Sequence, residues 1–171
     1  MSKMSGISVT GGALSVAEVV KVAREYEEVT LDPGAREHVA RRRDIIDSKA
    51  ADPQAHYGVS TGFGALATTF ISTDRRRQLQ LSLIRSHAAG TGAEVDTEVV
   101  RALMLLRLRT LMTGHTGVRP EVCDLYAAML NHRVTPVVHE FGSLGCSGDL
   151  APLAHVALVA MGEGEARVDR G

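Results

Sequence analysis

The sequence predicts a mainly α-helical chain carrying one long irregular loop, and three observations lead there. Apolar residues recur at three- and four-residue spacing behind cap residues such as Ser15 and Asp32. The segment 97–113, TEVVRALMLLRLRTLMT, is apolar around most of its circumference, as in a helix buried among other helices. Between Ala51 and Thr73 the periodicity gives way to Gly, Ser, Thr, Asp and Pro.

Taken in order, Ser15 and Glu18 form a capping-box pattern ahead of VVKVAREYE, which predicts a first helix over about Val16 to Glu28. Asp32-Pro33 opens a second, whose apolar stripe Val39, Ile46 and Ala50 suits packing on one side, with Arg41 to Arg43 on a solvated face. The loop 51–73 has a length that compact domains rarely carry without a task. Asp74 begins a third helix, ending near Gly90, in which Leu79, Leu83 and Ser86 or His87 share a face. The helix of 97–113 stops at Gly114; Pro120 starts the next, EVCDLYAAML, with Asn131 at its exit. The stretch VTPVVHEFGSLG is irregular, with room for a short strand, and Asp149 caps a last helix from Leu150 to Met161, stopped by Gly162.

With 171 residues, 44% hydrophobic and 23% charged, the composition is that of a globular protein of one domain. Sixteen Arg and three Lys are scattered against 20 acids for a net charge of -1, leaving no sustained basic face and arguing against a nucleic-acid partner. Arg101, Arg107 and Arg109 interrupt the longest apolar stretch, so no membrane span is expected. The first residues, MSKMSGISVTGG, lack a signal-peptide core, and a cytoplasmic location follows as the expectation. Cys123 and Cys146 then read as free thiols. The histidines His38, His56, His115, His132, His139 and His155 form no metal-binding spacing, and no metal is expected.

The densest chemistry lies in Gly142 to His155, GSLGCSGDLAPLAH, where Cys146-Ser147-Gly148 is followed by Asp149. Lacking a Cβ, Gly148 can bring its amide nitrogen onto the carbonyl carbon of Cys146 in a turn that other residues block. Ring closure gives an imidazolone, and loss of the Ser147 hydroxyl as water leaves an exocyclic methylene, a strong electrophile. The bland alternative is a plain Ser-Gly-Asp turn before a helix.

Four blocks, in order, decide between these: YGVSTGFG (Tyr57 to Gly64), LIRSHAAGTG (Leu83 to Gly92), GHTGVRPEV (Gly114 to Val122) and GSLGCSGDLAPLAH. Together they resemble the aromatic amino acid ammonia-lyases, closest to the histidine ammonia-lyases, a family that builds 4-methylideneimidazol-5-one (MIO) from Ala-Ser-Gly. The resemblance runs through most of the chain from Tyr57 onward. It implies the amino-terminal part of a histidase-like (fumarase/aspartase-type) helical fold, with the tyrosine loop at 51–73 and the MIO-forming segment at 142–155. The central helical bundle and carboxy-terminal part of such enzymes are not in the chain. Cys146 stands for the usual alanine, but cyclisation uses its carbonyl, and Ser60 stands where many members carry asparagine.

The resemblance further implies an enzyme that needs no external cofactor, because Cys146, Ser147 and Gly148 generate MIO autocatalytically. The processed Ser147 is expected to engage the substrate amine and make it a better leaving group; an older proposal has the substrate ring engaged instead. Tyr57 matches the tyrosine that takes the β-proton, a role requiring support for its anion because a free phenol titrates near ~10; anchoring the loop is its alternative. Gly58, Gly62 and Gly64 would let the loop fold tightly over substrate. Asp149 would support MIO formation as well as cap its helix, whose positive end favours electron flow into the ring. The Ser86-His87 pair resembles that of histidine-specific members, with His87 binding the substrate imidazole. The expected reaction is L-histidine to trans-urocanate and ammonia, in a homotetramer whose later helices and neighbouring subunits complete each site. Tyrosine or phenylalanine ammonia-lyase, a related aminomutase, and an inactive truncated piece are the alternatives.

Two further patterns have the wrong context. Gly58-Val59-Ser60-Thr61-Gly62 fits the hydrolase nucleophile elbow, but DPQAH before it is a turn where the elbow needs a strand. Gly62, Gly64 and Ala67 imitate a dinucleotide fingerprint, again without the leading strand.

Overall fold

In the computed structural model, which describes residues 6–145 and 149–170, six helices and six three- or four-residue strands are packed around α4 (Thr97–Met112). Against α4 lie α1 (Val16–Arg24) and α5 (Pro120–Asn131). Val100, Met104, Leu105, Leu108 and Met112 of α4, Val22 of α1, Cys123 and Leu130 of α5 and Val156 of α6 (Leu150–Ala160) form one continuous core. The apolar circumference of α4 is not wholly covered: Val99 and Leu106 remain about half exposed. Burial pushes the Cys123 thiol up to about 11, with the neighbouring Asp124 carboxylate adding to the effect, so this cysteine is inert as a nucleophile.

The capping box at Ser15 is formed: Glu18 N–H donates to Ser15 Oγ, and Ser15 N–H donates to Glu18 Oε2 at 2.7 Å. The helix ends earlier than predicted, at Arg24 instead of Glu28. Tyr26 turns the chain with φ 57°, and Val29–Leu31 becomes strand β2, parallel to β1 (Ile7–Val9). Asn131, at the end of α5, completes β2 by accepting from Val29 N–H and donating to Val29 O, each at 2.8 Å.

Arg101 explains why α1 stops there. Read from sequence as a break in an apolar run, it is fully buried and donates to Val22 O through Nε and Nη2 (3.2 and 2.8 Å) and to Leu130 O through Nη1 (3.1 Å). These carbonyls lie in the last turns of α1 and α5, where backbone acceptors lack intrahelical partners and the helix dipoles are negative. The Tyr26 ring covers the guanidinium at 4.3 Å, and Arg133 lies over the same ring at 4.6 Å. One side chain therefore ties two helix ends. Arg101→Met should lower stability by roughly 2–4 kcal/mol, because it strands the buried Val22 carbonyl and removes the tie to Leu130 O, which keeps the Arg133 N–H at 3.2 Å. Thermal unfolding would show a midpoint drop of roughly 10 °C; a midpoint within a degree of the parent would contradict this role.

The second helix, α2 (Pro33–Ala51), is capped by Asp32, which accepts from Ala35 N–H at 2.8 Å, and buries Val39. Arg43 is not solvated as expected: its side chain is partly covered, donating to Gly117 O and Asp47. Helix α3 (Thr73–His87) has Leu79, Leu83 and His87 half-buried on one face and packs on α6. Arg85 of α3 pairs with Glu163 just beyond α6. Strand β3 (Thr91–Glu94) pairs antiparallel with β5 (His139–Phe141), with a register shift between Thr91 and Glu94. Strand β4 (Val134–Pro136) pairs antiparallel with β6 (Ala166–Val168). Among the described residues no helix is long and apolar enough to cross a membrane.

Candidate active site

The loop between α2 and α3 is a built structure with one 3-10 turn, Gly64–Leu66. Its hub is the His56 carbonyl, which accepts from Val59, Ser60 and Thr61 N–H at 3.0, 2.9 and 3.3 Å. Ser60 is fully buried; its Oγ accepts from His56 N–H at 2.9 Å and donates to Gln54 O at 3.3 Å. A short hydroxyl thus fills this position with both its hydrogen-bonding functions used, which also removes Ser60 as a hydrolase nucleophile. His56 Nε2 pairs with Asp52 at 2.9 Å. The Gln54 N–H, then the His56 ring, hold the Asp52 carboxyl below its usual range.

Both ends of the loop are tied by Arg76, in the first turn of α3, which donates to Ala50 O at 2.5 Å and Ile71 O at 3.0 Å while lying over the Phe70 ring. A bridge between Thr61 and Phe70 closes the loop on itself. Gly58 adopts φ 70°, and a Cβ there would stand 2.8 Å from the Phe63 ring; a Cβ on Gly62 would stand 2.5 Å from Leu66 Cβ, whereas Gly64, at φ 55°, faces open space. Tyr57 is consequently displayed outward, 64% exposed, with Phe63 edge-on at 5.8 Å and Gly64 N–H donating to its Oη at 3.5 Å. Among the described residues these contacts all lie within the loop, so Tyr57 is not brought against His87 or Asp149.

The chain leaving the helix of His87 approaches the 142–155 segment through Gly90. At the end of α3, Ser86 Oγ donates to Leu83 O at 2.9 Å, and His87 Nδ1, 2.8 Å from the same carbonyl, must be its protonated nitrogen in the uncharged ring. That leaves Nε2 as an acceptor, with no partner among the described residues. Three residues on, Gly90 touches both flanks of the tripeptide. A Cβ on Gly142 would stand 3.1 Å from Gly90 Cα and 3.1 Å from Ala151 Cβ, so a side chain there would have to push these neighbours back by a few tenths of an ångström. Gly90 N–H also donates to His155 Nε2 at 3.0 Å.

Cys146, Ser147 and Gly148 lie outside the described residues. Asp149 does not cap α6 with its side chain. Its backbone, at φ 24° and ψ 64°, is outside the extended region from which a cap carboxylate reaches the N2 or N3 amide. Its Oδ1 is instead buried without a hydrogen-bond partner among the described residues. An acceptor unpartnered among the described residues immediately after the tripeptide, and close glycine packing before it, leave a place that a polar group at 146–148 would fit.

Sequence reasoning missed His155, Arg76 and the buried pair Ser60 and Thr61. Arg76 sits inside a run of three arginines with no local feature that sets it apart, and His155 gains meaning only through a tertiary contact 65 residues away in the chain. Among the described residues no three His, Cys, Asp or Glu side chains converge in a way that could hold a metal ion.

The sequence model described as aromatic amino acid lyase matches residues 14–171. This chain belongs to that family. Among curated relatives of this chain, the histidine ammonia-lyase of Streptomyces griseus is 57% identical over 163 residues, 95% of this chain and 32% of that protein. The crystal structure of histidine ammonia-lyase from Trypanosoma cruzi superposes with a TM-score of 0.85 at 32% identity, over 94% of this chain and 30% of that one. Tyrosine aminomutase from Streptomyces globisporus gives 0.90 at 36%, over 96% and 31%. The helical fold is that of these enzymes, and the chain spans about a third of the length of the relatives it matches.

Proposed function

We propose that the chain is the amino-terminal part of a histidine ammonia-lyase, converting L-histidine to trans-urocanate and ammonia with an MIO group made from Cys146, Ser147 and Gly148. The observation that carries this reading is the junction at Gly90, three residues beyond His87, which lies against Gly142 and His155 on either side of the tripeptide in sequence. Identity to the Streptomyces griseus histidine ammonia-lyase supports the choice of substrate. Once formed, MIO supplies an electrophile that makes the substrate's amine a better leaving group.

The residues of this chain divide the remaining work. His87 Nε2, left as an acceptor by the Nδ1–H bond to Leu83 O, receives the N–H of the substrate imidazole. A phenylalanine ring offers no such donor. Tyr57 Oη takes the β-proton, and the Gly64 N–H directed at that oxygen stabilises the anion needed first. Closing the Tyr57 loop excludes water from the site. Asp149 supports ring formation from its place directly after Gly148. The later helices and neighbouring subunits of a cytoplasmic homotetramer complete the site. The likeness to tyrosine aminomutase favours a second reading, a tyrosine lyase or mutase using the same tripeptide.

Assaying the complete polypeptide with histidine, tyrosine and phenylalanine decides between the two. Urocanate formed from histidine, with no product from the others, is expected. Turnover of tyrosine alone would replace the histidine reading, and no turnover of any would favour an inert relative.

A further inference from the structure

We infer that His155 is a positioning residue: with His139 it clasps the Gly90–Gly92 backbone and so sets where His87 stands relative to the MIO-forming segment. Two ring nitrogens hold two backbone groups of one short stretch. His155 Nε2 accepts from Gly90 N–H at 3.0 Å, and His139 Nδ1 donates to Gly92 O at 3.0 Å. The rings pack edge to face, 5.6 Å between centroids and 69° between planes, so each limits the other's movement. His155 is half-buried in the second turn of α6, and His139 opens β5.

Geometry gives the clasp its consequence. Gly90 is three residues beyond His87, and its Cα lies where it would crowd any Cβ on Gly142. Freeing its amide therefore releases both the exit of α3 and the packing that leads into the tripeptide. The register shift between Thr91 and Glu94 shows that β3 and β5 do not set this stretch by regular pairing alone. Burial, then the facing His139, depresses the His155 pKa, which keeps its Nε2 lone pair available. Leucine at 155 could fill the space without accepting a hydrogen bond, whereas Gln Oε1 reaches about as far as His Nε2 and can accept one.

The test compares His155→Leu and His155→Gln in the complete polypeptide with L-histidine as substrate; only this arm rests on the function proposed above. His155→Leu should raise KM at least roughly tenfold, with kcat less affected and the two-water mass loss around Ser147 complete. His155→Gln should restore KM to within about threefold of the parent. A parental KM in His155→Leu, failure of Gln to rescue, or loss of ring formation in step with activity would each overturn the proposal. Amide exchange across residues 87–94 is read alongside. It should quicken in His155→Leu and not in His155→Gln, and equal exchange overturns the proposal even if L-histidine proves not to be the substrate.

Discussion

Ser147→Ala in the complete polypeptide should lower histidine turnover by on the order of a thousandfold or more, because alanine has no hydroxyl to lose. Cyclisation between Cys146 and Gly148 could still occur, but without the exocyclic methylene there is no electrophile. Replacing Ser147 by alanine removes a single oxygen and adds no volume. The variant is therefore expected to melt with the parent. Its activity loss should appear entirely in kcat and not in solubility or assembly. Comparable turnover by Ser147→Ala would remove the tripeptide from the chemistry and leave Gly90, Gly142 and Asp149 with only a packing role.

Tyr57→Phe should lower kcat by roughly a hundred- to ten-thousandfold, the usual worth of a positioned acid or base, or about 3–5 kcal/mol at the barrier. Phenylalanine keeps the edge-on contact with Phe63 and loses only the weak bond from Gly64 N–H. The loop's frame does not involve the hydroxyl: Ser60, His56 and Arg76 hold it by bonds that the substitution leaves untouched. Stability and substrate KM should accordingly stay near parental while kcat falls. If KM rose and kcat held, Tyr57 would be a binding or anchoring residue.

These two residues are singled out by sequence motif, whereas the contacts around them are not. Helix starts at Ser15, Asp32 and Pro120 are local signals, written in three or four residues each, and all three stand where the sequence put them. Helix ends and short strands are tertiary facts. Nothing near Arg24 reveals that α1 stops there; the reason is Arg101, 79 residues from the carbonyl of Val22 that it binds. The strands are three or four residues long, too short for alternation to register, and they form because a partner lies alongside.

The same division runs through the site. Its chemically distinctive residues Tyr57, His87 and Ser147 stand out by motif. The hydrogen-bonded hub of the loop, the Gly90–Gly142 approach and the His155 contact depend on chain crossings that no local pattern records. Asp149 shows the limit from the other side. Its residue type and position both indicate a cap, yet its backbone adopts φ 24° and its Oδ1 is buried without a partner among the described residues.

The measurement closest to the central claim is the intact mass of the proteolytic peptide that contains residues 146–148, taken from the complete polypeptide without denaturing chemistry at that segment. The account predicts a mass lower by two waters, one from closing the Cys146–Gly148 ring and one from the Ser147 hydroxyl. A peptide of unmodified mass from freshly purified, folded protein would contradict it.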